Sequence, residues 1–395
     1  MDYHATTPVD PRVLEAMMPW FTERFGNPAS RQHSHGWTAD EAVGRARAAV
    51  AKAIGAAARE IVFTSGATEA NNLALRGMRA ALRKRGGHIV TARSEHPSVL
   101  DVCRRLEREG CTLSVLGVDG DGLVDPAAVA AAITPQTVLV SVMLANNEIG
   151  TIQPVAEIGA ICRSKGVPFH TDATQAVGRI PVDVAAMNVD LLTMSAHKAY
   201  GPKGVGFLYV RRGAGLPLPE PLVEGGGQEG GLRSGTLNVP GIVGLARALE
   251  LAVAEMDAEA ARHSGWRDEM LRAWQDAPGR IRLNGHPSKR LPNNLNVCFP
   301  GVEDNVLMMS MKDIAVSAGS ACSSSKPESS HVLSAIGLSR EMAGSAIRFG
   351  LGRFTTRDEV DYVIRRVAEE VTRLRGLRAG NAADRTGELR AAVAP

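Results

Sequence analysis

The chain has 395 residues, 44% of them hydrophobic and 22% charged, with a formal net charge of +3. That length supports a large core and two domains, and the interspersed charges of both signs argue against a nucleic-acid-binding face. No apolar run is long enough for a membrane span, the N-terminal MDYHATTPVDPRV lacks a basic-then-apolar leader pattern, and five scattered cysteines without a CxxC pair suit neither a disulfide framework nor a metal site.

A cytoplasmic location is therefore expected, and the order of elements refines the reading. EIVFTSG, GGHIVTAR, TVLVSVML, VPFHTDA, DLLTMSAH and GVGFLYV read as buried strands. Amphipathic helices such as EANNLALRGMRAALRKR and PVAEIGAICRSKG lie between them. Strand–helix alternation predicts an α/β fold with a mostly parallel sheet covered on both faces. PLPEPLVEGGGQEGGLRSGT reads as a long Pro- and Gly-rich loop, followed by a helix over about 241–276. Strands around IRLN, NNLNVCFP and AIRFGLG and a last helix over about 357–375 predict a smaller α+β domain, and the remaining tail is polar and expected to fray.

In open α/β sheets a ligand sits beyond the carboxyl ends of the strands. Five successive strands end in chemically able residues: Thr64–Glu69, Ser94–His96, Ala145–Glu148, Thr171–Gln175 and Ser195–Lys198. The turn TSGATE, opening a helix with small residues and hydroxyls, can cradle a phosphate, although the same residues would serve as simple caps. It is neither a P-loop nor GxGxxG, which weakens a nicotinamide-binding reading. Lys198 at a strand end suits Schiff-base chemistry, Asp172 could hold a protonated pyridine nitrogen, and His96 could stack on a ring or move protons. A phosphate cradle, a Schiff-base lysine and a pyridinium partner are what a pyridoxal 5′-phosphate enzyme requires.

TSGATEANN, SEHPSVL, ANNEIGTIQP, HTDATQAVG, SAHKAYGPKG, RSGTLN, SAGSACSSS and IRFGLGRFTT occur in this order. Together they closely resemble the cysteine desulfurases of the NifS/IscS type, class-V aminotransferases with the fold-type I architecture, from the N-terminus to about residue 375. The resemblance implies a large domain at 13–257 with a seven-stranded sheet, a small domain formed by 1–12 and 258–378 that carries a cysteine loop at about 317–330, and a polar tail at 379–395. It implies pyridoxal 5′-phosphate joined to Lys198, paired with Asp172 and stacked by His96, with Ala67, Thr68, Ser195 and His197 on its phosphate. Thr236 would reach the cofactor of a partner subunit in a homodimer. Gln175 would approach the phenolic oxygen, Asn147 would lie beside cofactor and substrate, and Arg348 would clamp the carboxylate of L-cysteine.

Cys322, set among small polar residues, would be the nucleophile that becomes a persulfide and carries sulfur to an acceptor protein for iron–sulfur cluster or cofactor assembly. The resemblance also leaves Cys322 open as a transient ligand to an iron–sulfur cluster within a complex. Ala196 and Gly230 stand where the family often has glycine and arginine. The rival readings are another reaction on the same scaffold, such as selenocysteine lysis or transamination, and a non-catalytic sulfur-transfer partner. A mobile thiol is superfluous to plain transamination.

Overall fold

A computed structural model describes residues 1–213, 215–276, 280–318 and 330–391. Among the described residues, ten strands form two sheets. The larger contains β1 (Ile61–Thr64), β2 (His88–Ala92), β3 (Thr112–Leu116), β4 (Thr137–Ser141), β5 (Phe169–Asp172), β6 (Leu191–Ser195) and β7 (Gly206–Val210) in the order β1-β7-β6-β5-β4-β2-β3. Only β7 runs against its neighbours. The C-terminal ends of β1, β2, β4, β5 and β6 therefore share one edge, and their polar termini meet there.

The apolar runs become strands because both faces of this sheet are buried. Along β1, Ile61 and Phe63 enter one core, with Val90, Val140 and Leu245, while Val62 enters the opposite core, with Leu73, Val99 and Leu139. β3 lies at the edge and is partly exposed. Its short alternating CTLSVLG was not among the expected strands.

The smaller sheet is antiparallel, in the order β10-β9-β8, with β8 at Arg282–Leu283, β9 at Asn294–Cys298 and β10 at Ala346–Gly350. Trp274 anchors its core, with ring centroids 4.8 Å from Phe349 and 5.6 Å from Phe299. Trp274 lies near the end of the 37-residue helix Val239–Gln275, which also packs Ile242, Leu245 and Leu249 against the larger sheet. This one helix thus contributes to both cores.

The last helix runs from Arg357 to Ala391, which corrects the expectation of a frayed tail beyond 375. The tail is rich in Ala and Arg, both strong helix formers, and contains no proline before Pro395. These residues carry the helix through Gly376, Gly380 and Gly387. No helix among the described residues is long and apolar enough to cross a membrane.

Candidate active site

The N-terminal chain forms one wall of the site. Met1 and Tyr3 hydrogen-bond to Gly350 on β10, and Thr7 N donates to His197 O at 3.0 Å. This pinning sets the carbonyls of His4 and Ala5 against Lys198, whose Nζ donates to them at 2.5 and 2.7 Å. A cavity of about 540 Å³ opens at this point, on the shared strand edge.

Nearly every residue singled out in the sequence lines that cavity: Ala67, Thr68, His96, Asn147, Asp172, Gln175, Ser195, His197, Lys198 and Arg348. Thr236 is described but exposed on the Gly-rich loop, and it does not line the cavity. Cys322 lies outside the described residues. The other four cysteines are buried, and burial pushes the thiols of Cys103 and Cys162 up to about 12.

At one end of the cavity, the helix Ala67–Ala81 begins at Gly66 without a side-chain cap. Gly66 has φ +146°, and a Cβ there would lie 3.4 Å from Ser195 Oγ. Glycine is required for this turn, which brings backbone N–H groups and the positive end of the helix dipole to the cavity. His197 stands nearby, with Nδ1 3.1 Å from Thr6 Oγ1. Burial, reinforced by Lys198 and Lys203, lowers its pKa to about 4, so at neutral pH it offers hydrogen bonds without charge.

Deeper in the cavity, Asp172 is oriented through both oxygens: Oδ1 accepts from Thr174 N at 3.0 Å and Oδ2 from Asn71 Nδ2 at 2.8 Å. His96 caps the helix Pro97–Arg108 through Nδ1, and Pro97, which lacks an N–H, suits the first helical position. Burial lowers the pKa of His96. Thr174 also lines the cavity, and its Oγ1 is buried without a hydrogen-bond partner among the described residues.

Arg348, which also lines the cavity, is 1% exposed. Its Nη1 donates to Asn147 O and its Nη2 to Asp2 Oδ1, each at 2.9 Å. Asp2 Oδ2 in turn accepts from Ser317 Oγ at 2.7 Å. Gln175 is held by His4, whose carbonyl accepts from Gln175 Nε2 at 3.1 Å. Next to the cavity, Glu148 accepts from Ser330 Oγ at 2.5 Å, and burial raises its pKa.

Together these features fit pyridoxal phosphate. An uncapped helix N-terminus suits the phosphate, a fixed carboxylate the ring nitrogen, an imidazole the ring, and a lysine amine the aldehyde. The buried arginine adds a fork for an amino-acid carboxylate. The sequence reading missed His4, Ala5, Thr6, Asn71, Ser98 and Asp2. Only the order of motifs hinted at the N-terminal residues, because the contacts of His4 and Ala5 to Lys198 are made by main-chain atoms.

Residues 1–363 match the family model described as aminotransferase class-V. A cysteine desulfurase IscS from Anaeromyxobacter dehalogenans (strain 2CP-C) is 56% identical over 375 residues, covering 95% of this chain and 93% of that protein. Among solved structures, a NifS-like protein superposes with a TM-score of 0.87 at 39% identity, covering 94% of this chain and 98% of the other. SspA in complex with cysteine superposes with a TM-score of 0.79 at 37% identity, covering 90% and 99%. With its mostly parallel sheet and the cavity on that sheet's carboxyl edge, the chain belongs to the class-V aminotransferase family as a cysteine desulfurase of the NifS/IscS type.

Proposed function

We propose that the cavity holds pyridoxal 5′-phosphate and that the chain uses it to move sulfur from L-cysteine to Cys322, releasing L-alanine, before an acceptor protein collects the sulfur. One observation carries this reading: Lys198, Asp172, His96, Arg348 and an uncapped helix N-terminus line a single cavity. The amides of Ala67 and Thr68, with Ser195 and His197, would hold the phosphate. Lys198 would bind the cofactor covalently through Nζ, Asp172 would face its ring nitrogen, His96 its ring, and Gln175 its phenolic oxygen. When bound, the cofactor supplies an electron-withdrawing ring that weakens bonds in the substrate.

Arg348, its plane set by Asn147 and Asp2, would grip the substrate carboxylate with two N–H groups. Similarity to SspA, solved in complex with cysteine, supports this substrate. Cys322, as thiolate, would attack the substrate sulfur. The S–S bond forms as the substrate C–S bond breaks, and the electron pair stays on carbon, which takes a proton to give alanine. The persulfide then passes its outer sulfur to an acceptor thiol.

A homodimer completes the proposal. Leu14, Met18, Phe21, Phe25 and Trp37 are all exposed within the first 37 residues, an apolar surface suited to a second copy. Thr236, outside its own cavity, would then serve the partner's site. The test is Lys198→Ala. The wild type should carry the cofactor's absorbance and form alanine from cysteine in the presence of a thiol reductant, and the variant should lose both. A variant that keeps covalent cofactor and activity would contradict the reading.

A further inference from the structure

Two residues outside the proposed machinery, Asn71 and Ser98, join the acid and the imidazole of the cavity. Asn71, fully buried, donates from Nδ2 to Asp172 Oδ2 and to Ser98 Oγ, each at 2.8 Å. Ser98 Oγ lies 2.8 Å from His96 Nδ1, and Ser98 N donates to the same nitrogen at 3.1 Å.

Counting donors and acceptors places every proton on this path. A carboxylate only accepts, so Asn71 must turn its amide NH₂, not its carbonyl, toward Asp172. The orientation leaves Asn71 Oδ1 buried with no partner among the described residues, so the two acceptors of the NH₂ group decide the rotamer. Ser98 Oγ receives one hydrogen from Asn71 and has its own to give. Ser98 N can only donate, so His96 Nδ1 is an acceptor, and the Ser98 hydroxyl donates to it as well. The neutral ring then carries its hydrogen on Nε2, the nitrogen left for the cavity. Protonating Nδ1 would break the bond from Ser98 N, and with it the cap of the helix Pro97–Arg108, and would force the Ser98 hydroxyl to turn from donor to acceptor.

We propose that Asn71 and Ser98 are positioning residues that hold His96 as the neutral Nε2–H tautomer, so that it meets the cavity as a hydrogen donor. The surrounding charges do not reverse this. Asp172 at the end of β5 and Asp101 on the ring's own helix favour the cation, whereas burial, Lys198 after β6 and His331 on the helix His331–Ala335 oppose it. The functional weight of the assignment rests on reading the cavity as the active site, but the tautomer itself does not.

The test is long-range ¹H–¹⁵N correlation NMR on ¹⁵N-histidine-labelled protein, with His96 identified by comparison with His96→Gln. Spectra are recorded across pH on protein loaded with pyridoxal phosphate and again after its removal. The expected result is the Nε2–H pattern at neutral pH in both samples. Ser98→Ala removes one hydrogen bond from the neutral ring and should raise the His96 pKa by about one unit. Asn71→Asp, which draws the Ser98 hydroxyl away from Nδ1, should shift it in the same direction. Should the buried Asn71 variant fail to fold, Ser98→Ala still decides. An Nδ1–H pattern, an imidazolium at neutral pH, or an unchanged titration in Ser98→Ala would overturn the proposal. The Nε2–H pattern in a protein that does not bind pyridoxal phosphate would support the tautomer while refuting the cofactor reading.

Discussion

Arg348→Lys separates substrate binding from the rest of the site. The Arg348 guanidinium sits on β10, almost wholly buried, and is held by Asn147 O and by Asp2, itself held by Ser317. Its plane is therefore set before substrate arrives, and little ordering is required to bind a carboxylate with two parallel bonds. Lysine keeps the charge but presents a single point instead of a fork. Losing one charge-assisted hydrogen bond costs about 1.5–3 kcal/mol, which is roughly a 10- to 150-fold loss of affinity. On the proposed reading the bond goes to a carboxylate that does not react, so the loss should appear in KM, with kcat within a few-fold. Alanine formation against cysteine concentration measures both, and the cofactor's absorbance should stay unchanged. A KM within twofold of the wild type in a folded variant would refute the assignment, and so would a collapse of kcat with KM unchanged.

Two further substitutions probe other parts of the structure. Gly66→Ala forces a side chain into a backbone region that glycine alone enters freely, with Ser195 Oγ 3.4 Å from the new methyl. Strain of about 1–3 kcal/mol should weaken pyridoxal phosphate binding roughly tenfold or more, as read by fluorescence titration. Unchanged affinity would remove the phosphate role from this turn. His263 is buried, with Nε2 2.9 Å from Gly352 O, and burial lowers its pKa from 6.5 to about 4. The unfolded chain therefore binds this proton first. The stability that neutral His263 contributes is full above pH 6.5 and is lost as pH falls toward 4. His263→Gln should show a shallower fall of Tm across that window, and identical slopes would contradict the linkage.

The strands of the larger sheet were legible because burial on both faces leaves an apolar run in the sequence. The same strand ends predicted where chemistry would gather, since parallel strands bring their carboxyl termini to one edge. β3 escaped notice because an edge strand is buried on neither face throughout and is correspondingly short in apolar signal. Asn71 escaped because a polar residue in an amphipathic helix reads as solvent-facing. It is buried only because Asp172 and Ser98, distant in sequence, supply its acceptors. The backbone carbonyls of His4 and Ala5 that receive Lys198 have no residue signature at all. The continuation of the last helix to Ala391 shows local propensity prevailing where a polar composition had suggested a frayed tail.

The central claim is that Cys322 accepts the sulfur. Its most direct test is mass spectrometry of the Cys322 peptide after a single turnover of the loaded protein with L-cysteine, without reductant. The account predicts that this peptide gains one sulfur atom for each alanine released, and that Cys322→Ala binds the cofactor but forms almost no alanine. Alanine released with no sulfur on Cys322, or undiminished alanine formation by Cys322→Ala, would contradict it.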